Sequence, residues 1–384
     1  MQHEAAPTRR HVIFSGANER AILAICRSFA ARGVPCSLIG RPGPDPMRLT
    51  RYRRWIKVVR GDDRLLVDDM VACVARLAGM HPGEVLVFMP TAESINRMVL
   101  ENRARFESAG LTVPLVDMEA YCQLSDKAAL LEQASRFGLV APPRLAQATE
   151  TALPLVAKPH AEFAPDGRKL YPELILDRAA LAAFNHRGDT GLYFYQRYID
   201  GASYYYLAHF DADGHATFLY QRNLLQQANG KSILAAELCA CPDEEVRDRL
   251  VALFNSLGYR GYAMVETMER DGRHYLIEVN PRFWGPWALA GEAGFPPEAF
   301  AGAPIPHPSP RGNTRYLWLG GYLANRARRR PIRVYPAGRG LGLRDWLRLL
   351  RRDIHLHLDS FPLFLHEAAT ALRARLSSPP VTTG

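Results

Sequence analysis

Glu266, Glu278, Asn280 and Arg282 are the residues whose types and spacing most suggest chemistry. They lie in YAMVETMERDGRHYLIEVNPRFWG, two apolar runs on either side of Asp271-Gly272. Successive side chains of a strand point to opposite faces. Ile277 and Val279 therefore share one face, and Glu278 and Asn280 share the other. A two-residue Asp-Gly turn would set Glu266 opposite Ile277 and leave the glutamates on opposite faces. A three-residue turn, Arg270-Asp271-Gly272 with a left-handed glycine and a bulge, sets Glu266 opposite Leu276 and Met264 opposite Glu278. Glu266, Glu278 and Asn280 then share a face, the glutamates being diagonal neighbours roughly 7–8 Å apart. Three hard oxygen donors suit Mg²⁺, which takes a few carboxylates together with phosphate oxygens and water. A bound cation would offset the repulsion between the carboxylates, and Arg282 is spaced to meet the same metal–phosphate complex. A solvated sheet face could carry the same residues idly, but the apolar neighbours on both strands count against it.

The segments before this hairpin must position it. HVIFSG reads as a buried strand ending in a glycine turn, NERAILAICRSFAARG as an amphipathic helix stopped by Gly33, and VPCSLIG as a second strand. EVLVFMP is another strand, and TAESINRMVLENRARFESAG a helix. Strands alternating with helices predict a parallel sheet with helices on its faces. Its first turn has one glycine, not the G-x-G-x-x-G fingerprint of a dinucleotide site. From about residue 120 the texture changes. LSDKAALLEQASRFGLVAPP is a helix capped by Ser125 or Asp126 and stopped at Gly138, and LPLVAKPH is a short strand. LYFYQRYIDGASYYYLAHFDADGHATFLYQRNLL reads as antiparallel strands with turns at Asp200-Gly201 and Asp213-Gly214, and DEEVRDRLVALFNSLG as a helix.

The chain has 384 residues and a net charge of +9. From residue 301 onward there are fourteen arginines, no lysine and four acids, so the basic excess belongs to the tail and the main body is neutral. No specific nucleic-acid partner is expected of the body; salt-sensitive binding through the tail would be the exception. APIPHPSPRGN marks a boundary near residue 302, and SSPPVTTG a frayed end. Trp346, Leu347, Leu349, Leu350 and Ile354 can form one helical stripe. A peripheral membrane contact is one use of it; a helix packed on the body with a solvated arginine face is the preferred reading. His355 and His357 lack a third ligand and read as structural. Six scattered cysteines, no bilayer-length apolar run and no signal-peptide pattern point to a cytoplasmic protein with reduced thiols.

The hairpin resembles the metal-binding end of the ATP-grasp superfamily, in which a Glu and a hairpin precede E-x-N-x-R. Three earlier stretches resemble the same family in the right order: DKAALLEQASRFGLVAPP with Lys127, LVAKP with Lys158, and YQRYIDG at the hinge between lobes. The resemblance is nearest to carbamoyl-phosphate-synthase-like and D-aspartate-ligase-like members. It implies an α/β pre-ATP-grasp domain (1–120), an ATP-grasp domain (121–301) whose two lobes clamp ATP with a lid over about 125–198, and a mostly helical, Arg-rich extension (302–384). It further implies that Lys127 and Lys158 contact ATP phosphates, with Lys169 assisting from the phosphate loop HAEFAPDGRK. Gln196 and Ile199 frame the adenine. Asp200 reaches the ribose, because the usual hinge glutamates are replaced by Gln196 and Ser203. Glu266, Glu278 and Asn280 hold Mg²⁺ or Mn²⁺, and Arg282 and Arg222 face the phosphoryl group or substrate. Trp284 and Trp287 are expected in the wall or core. The implied activity is that of an ATP- and Mg²⁺-dependent ligase joining a small-molecule carboxylate to an amine. The alternative is a non-catalytic ATP-binding regulatory or scaffold protein, which the single glycine of the phosphate loop and the altered hinge would suit.

Overall fold

The structure, a computed structural model, describes residues 8–160, 164–168, 170–305, 314–336 and 340–376. Lys169 and the SSPPVTTG end lie outside the described residues. The first lobe comprises β1 (Arg9–Phe14), α1 (Glu19–Arg32), β2 (Cys36–Gly40), β3 (Ile56–Val59), α2 (Val67–Met80), β4 (Val85–Phe88), α3 (Glu93–Glu101), α4 (Arg103–Ser108) and β5 (Leu111–Thr112). Its strands form one parallel sheet in the order β3-β2-β1-β4-β5. Val12, Ile13 and Phe14 are buried, as is all of β2, because helices cover both faces of such a sheet. α1 seals one face with Ile22, Ile25 and Phe29, and Gly33 closes it in the left-handed conformation at φ 65°. The single helix expected over 91–110 is two helices. At the break, the Asn102 side chain donates to the Met98 carbonyl at 3.0 Å, a local bond that competes with helix propagation.

The next segment holds α5 (Met118–Ser125), α6 (Lys127–Arg136), β6 (Arg144–Leu145), β7 (Leu155–Pro159), β8 (Glu173–Ile175), α7 (Arg178–Asn185) and β9 (Tyr193–Arg197). Asp126 caps α6 by accepting from the amides of Ala128 and Ala129, which places Lys127 in the first turn. The four strands form a small antiparallel sheet, β6-β9-β7-β8. Leu155, Ile175, Leu181, Phe184 and Tyr193 give it its own core.

The large antiparallel sheet follows, from β10 (Ala202–Phe210), β11 (Ala216–Gln227), β12 (Ile233–Cys239), β13 (Gly261–Arg270) and β14 (Arg273–Asn280), with α8 (Glu244–Ser256) between β12 and β13. The order is β14-β13-β10-β11-β12. One face (Tyr206, Ala208, Val265, Leu276) packs on α6 and α8, and the other (Tyr205, Leu207, Leu219, Met264) joins the core of the first lobe. Gly201 links small sheet to large. A Cβ there would sit 1.9 Å from the Glu269 carbonyl oxygen, so only glycine lets the hinge cross β13 this closely.

The rest holds α9 (Trp287–Glu292), β15 (Arg315–Leu317), α10 (Leu319–Ala327), β16 (Ile332–Val334), α11 (Leu343–Leu350) and α12 (Phe361–Leu376). β15 extends the large sheet beyond β12, and β16 pairs with the end of β11. The C-terminal segment therefore supplies strands as well as helices. Trp284 and Trp287 are core residues. Leu349 and Ile354 are buried and Trp346 packs on Tyr322, whereas Leu347 is exposed. His355 is buried and bonds to Glu367 at 2.8 Å. Among the described residues no helix is long and apolar enough to cross a membrane.

Candidate nucleotide and metal site

β13 and β14 join through a two-residue turn. Arg270 pairs with Arg273, and Asp271 and Gly272 have φ of 53° and 73°, the left-handed pair that Asp-Gly favours in tight hairpins. That register alone would split the glutamates between faces. A bulge restores them: Thr267 pairs with Leu276, but Glu266 pairs with Glu278, leaving Ile277 as the extra residue on β14. The three-residue turn and diagonal spacing are thereby corrected. The turn has two residues, the count changes within the ribbon, and the glutamates are direct cross-strand neighbours. The carbonyl of the bulged Ile277 accepts from Lys158 Nζ at 3.0 Å, so the irregularity that aligns the acids also anchors the lysine.

Across the sheet, Gln221, Tyr205, Glu266 and Glu278 form one row on one face. Asn280 donates to Glu278 Oε1 at 2.8 Å, and Arg282 donates to Asn280 Oδ1 at 2.6 Å and to the Phe283 carbonyl at 3.0 Å. Arg282 Nε is buried without a partner among the described residues. From the other side a buried relay reaches Glu266. Gln221 Nε2 donates to Asn223 Oδ1 (2.6 Å), Asn223 Nδ2 to Ser203 Oγ (2.7 Å), and Ser203 to Glu266 Oε1 (3.3 Å). Sequence reasoning missed Gln221 and Asn223. The signal was the period-two placement of two amides after Leu219 on one face of the strand.

Burial, and then the neighbouring Glu278, push the Glu266 carboxyl up to about 8, with Lys158 acting against the shift. Burial and then Lys127 push the Lys158 ammonium down to about 8, with both glutamates acting against it. The carboxylate and the ammonium are therefore both held at desolvation cost, in a cleft between the small and large sheets.

That cleft has two ends. Lys127, Lys158, Glu266 and Glu278 line the charged one. Val156, Leu174, Ile199, Met268 and Ile277 line an apolar slot. Gln196 lies along the same wall. Its Nε2 donates to the Pro142 carbonyl at 3.1 Å, which leaves a buried Oε1 with no partner among the described residues. A cavity of about 680 Å³ lies beyond the 227–231 loop, lined by Lys231, Trp318, Asn325, Arg328, Arg330 and Glu367 among others. It contains none of the hairpin acids, so we assign the chemistry to the narrower cleft.

Two residues are not brought to the site. Arg222 lies in the adjacent row on the opposite face, because strand neighbours alternate. It pairs with Glu237 on β12, so its expected contact with phosphate or substrate is corrected to an ion pair. Asp200 turns away from the cleft and accepts from Arg333 at 3.2 Å instead of facing a ribose. The three-ligand cluster Asp211, Asp213 and His215 lies in the β10–β11 turn, where Asp211 accepts from the amides of residues 213 and 215 as an ordinary turn cap.

Residues 124–286 match the model of the ATP-grasp domain family. No curated protein matches the chain by sequence. Among solved structures, the biotin carboxylase of Campylobacter jejuni superposes with a TM-score of 0.57 at 14% identity, covering 77% of this chain and 72% of that one. N5-carboxyaminoimidazole ribonucleotide synthetase in its ADP complex gives 0.57 at 14% identity, with 81% of each chain covered. An L-amino acid ligase from Bacillus licheniformis gives 0.50 at 15%, with 72% and 68% covered. Residues 124–286 thus match an ATP-grasp domain.

Proposed function

We propose that the protein is an ATP-dependent ligase that activates a substrate carboxylate and joins it to an amine. The observation that carries this reading is the direct pairing of Glu266 with Glu278, flanked by Asn280, Arg282 and Lys158, in a buried cleft. Two adjacent carboxylates, Glu266 buried and Glu278 half-buried, with an amide oxygen are a hard-oxygen set that fits Mg²⁺ or Mn²⁺. When bound, the ion would screen phosphate charge and act as a Lewis acid. Glu266, Glu278 and Asn280 would hold it.

The chain's own groups account for the rest. Lys158, fixed by the Ile277 carbonyl, and Lys127 in the first turn of α6 offer point charges to a polyphosphate. Arg282, fixed by Asn280 and the Phe283 carbonyl, offers a third cation beside the metal ligands. The apolar slot and the unpaired Gln196 Oε1 suit a base with an exocyclic amine. In the reaction, a carboxylate oxygen attacks the terminal phosphorus, the bond to ADP breaks, and an acyl phosphate forms. The amine nitrogen then attacks the acyl carbon, inorganic phosphate leaves, and the amine proton is lost to solvent. Such sites accelerate phosphoryl transfer mainly by positioning and charge, and must exclude water to protect the acyl phosphate.

The test is ADP formation by the full chain with Mg²⁺-ATP, measured against a panel of carboxylate and amine pairs. ADP formation that requires both partners supports the ligase. Tight Mg²⁺-ATP binding with no acceptor-dependent ADP formation would support a nucleotide-binding regulatory protein instead.

A further inference from the structure

The C-terminal segment reaches the nucleotide cleft. β16 is stitched to the end of β11 by Leu225–Val334, Gln226–Arg333 and Gln227–Ile332, and the Tyr335 amide donates to the Leu224 carbonyl at 3.0 Å. This brings two side chains, at i and i+2, to the apolar end of the cleft. Tyr335 is 4% exposed and packs with Ile199 and Met268, alongside Ile277. Its hydroxyl donates to Gln226 Oε1. The Arg333 guanidinium stacks on both Tyr198 and Tyr335, 4.7 Å from each ring, and donates to Asp200 and to the Ile199 carbonyl. Arg333 therefore joins the hinge to the tyrosine, and both side chains line the cleft that also holds Lys158, Glu266 and Glu278.

We propose that Tyr335, held by Arg333, is the fourth wall of the nucleotide-base subsite, so that a segment outside the matched ATP-grasp domain determines how tightly a purine nucleotide binds. The inference rests on the nucleotide reading of the cleft. An apolar slot continuous with a cationic, carboxylate-lined end has the polarity of a site for a base followed by a metal-bound polyphosphate. Tyr335 contributes an aromatic ring beside Ile199 and Met268, and the ladder to β11 fixes that ring as a wall of the slot.

The test is calorimetric titration of the full chain with Mg²⁺-ATP and, separately, with Mg²⁺-tripolyphosphate, which has the charge but no base. In the parent protein ATP should bind at least about tenfold more tightly than tripolyphosphate. Tyr335→Ala should weaken ATP about tenfold, the loss of one aromatic contact, and leave tripolyphosphate within about twofold. Tyr335→Phe, which keeps the ring and loses the Gln226 bond, should fall between. An ATP affinity in Tyr335→Ala within about threefold of the parent would overturn the proposal. So would a parallel loss of both ligands, which would make Tyr335 a support of the fold. A parent protein that binds both ligands equally has no base subsite, and this inference alone fails. One that binds neither also removes the nucleotide reading beneath it.

Discussion

Two charged clusters sit on adjacent rows of the same sheet, and they differ in how their charge is met. Around Arg222 the network is closed. Glu237 pairs with Arg222 and Arg315, and Arg315 also pairs with Asp345. Around Glu266 it is open. Among the described residues neither Glu266 nor Glu278 forms an ion pair, although Lys158, Lys127 and Arg282 stand nearby, and two acids face each other with only hydrogen bonds from Ser203 and Asn280. Like charges held together, one of them buried, oppose folding without neutralisation. A row that keeps them is arranged for something that binds, whereas a balanced row is architecture.

Substitutions can break this contrast, and the largest effect should come from the open row. Glu278→Gln removes a hard charged donor and should lower ATP-dependent ADP formation by more than about a hundredfold. Equal turnover in mutant and parent would remove the metal site from the argument. Lys158→Met should weaken Mg²⁺-ATP binding about tenfold or more, the value of a charge-assisted contact to phosphate, as read by calorimetry. Asn223→Ala cuts the relay to Ser203 and Glu266 without touching a ligand atom. The Mg²⁺ concentration needed for half-maximal activity should rise about tenfold while ATP affinity at saturating metal changes little.

A smaller effect separates ordinary buried polarity from the site. His11, His209 and His274 are buried, and burial lowers the pKa of each below its ordinary value of 6.5. Folding thus favours the neutral rings. Their contribution to stability is present above the ordinary value and is lost as pH falls through the lowered values. The melting temperature should drop by a few degrees between about pH 7.5 and about pH 5.5. His209→Gln, which can still donate to the Ala299 carbonyl that His209 now reaches at 3.0 Å, should flatten part of that slope. The smallest effect belongs to the closed row. Arg222→Met should cost below about 1 kcal/mol in denaturant melts, since the arginine is partly exposed and Glu237 keeps Arg315, and ADP formation should stay within about twofold.

Much of this arrangement was readable. Glu278-x-Asn280-x-Arg282 followed from strand alternation, and the α/β lobe from apolar runs that end at glycines such as Gly33. The helix opening at Lys127 followed from its aspartate cap. What escaped reading depended on partners distant in the chain. The bulge at Ile277 is fastened by a lysine far upstream. Arg222 reads as a phosphate ligand until β12 places Glu237 beside it. β15 and β16 are three-residue strands whose short runs carry no period of their own, so only the exposed edge they complete makes them strands.

The extra residue in β14 also bears on how the gene can change. A deletion at position 277 would give an uninterrupted ladder in which Glu278 still faces Glu266, but the carbonyl that anchors Lys158 would go with it. What the extra residue secures is the ammonium and not the side on which the acids lie: its loss would keep both glutamates on one face and set Lys158 free beside them.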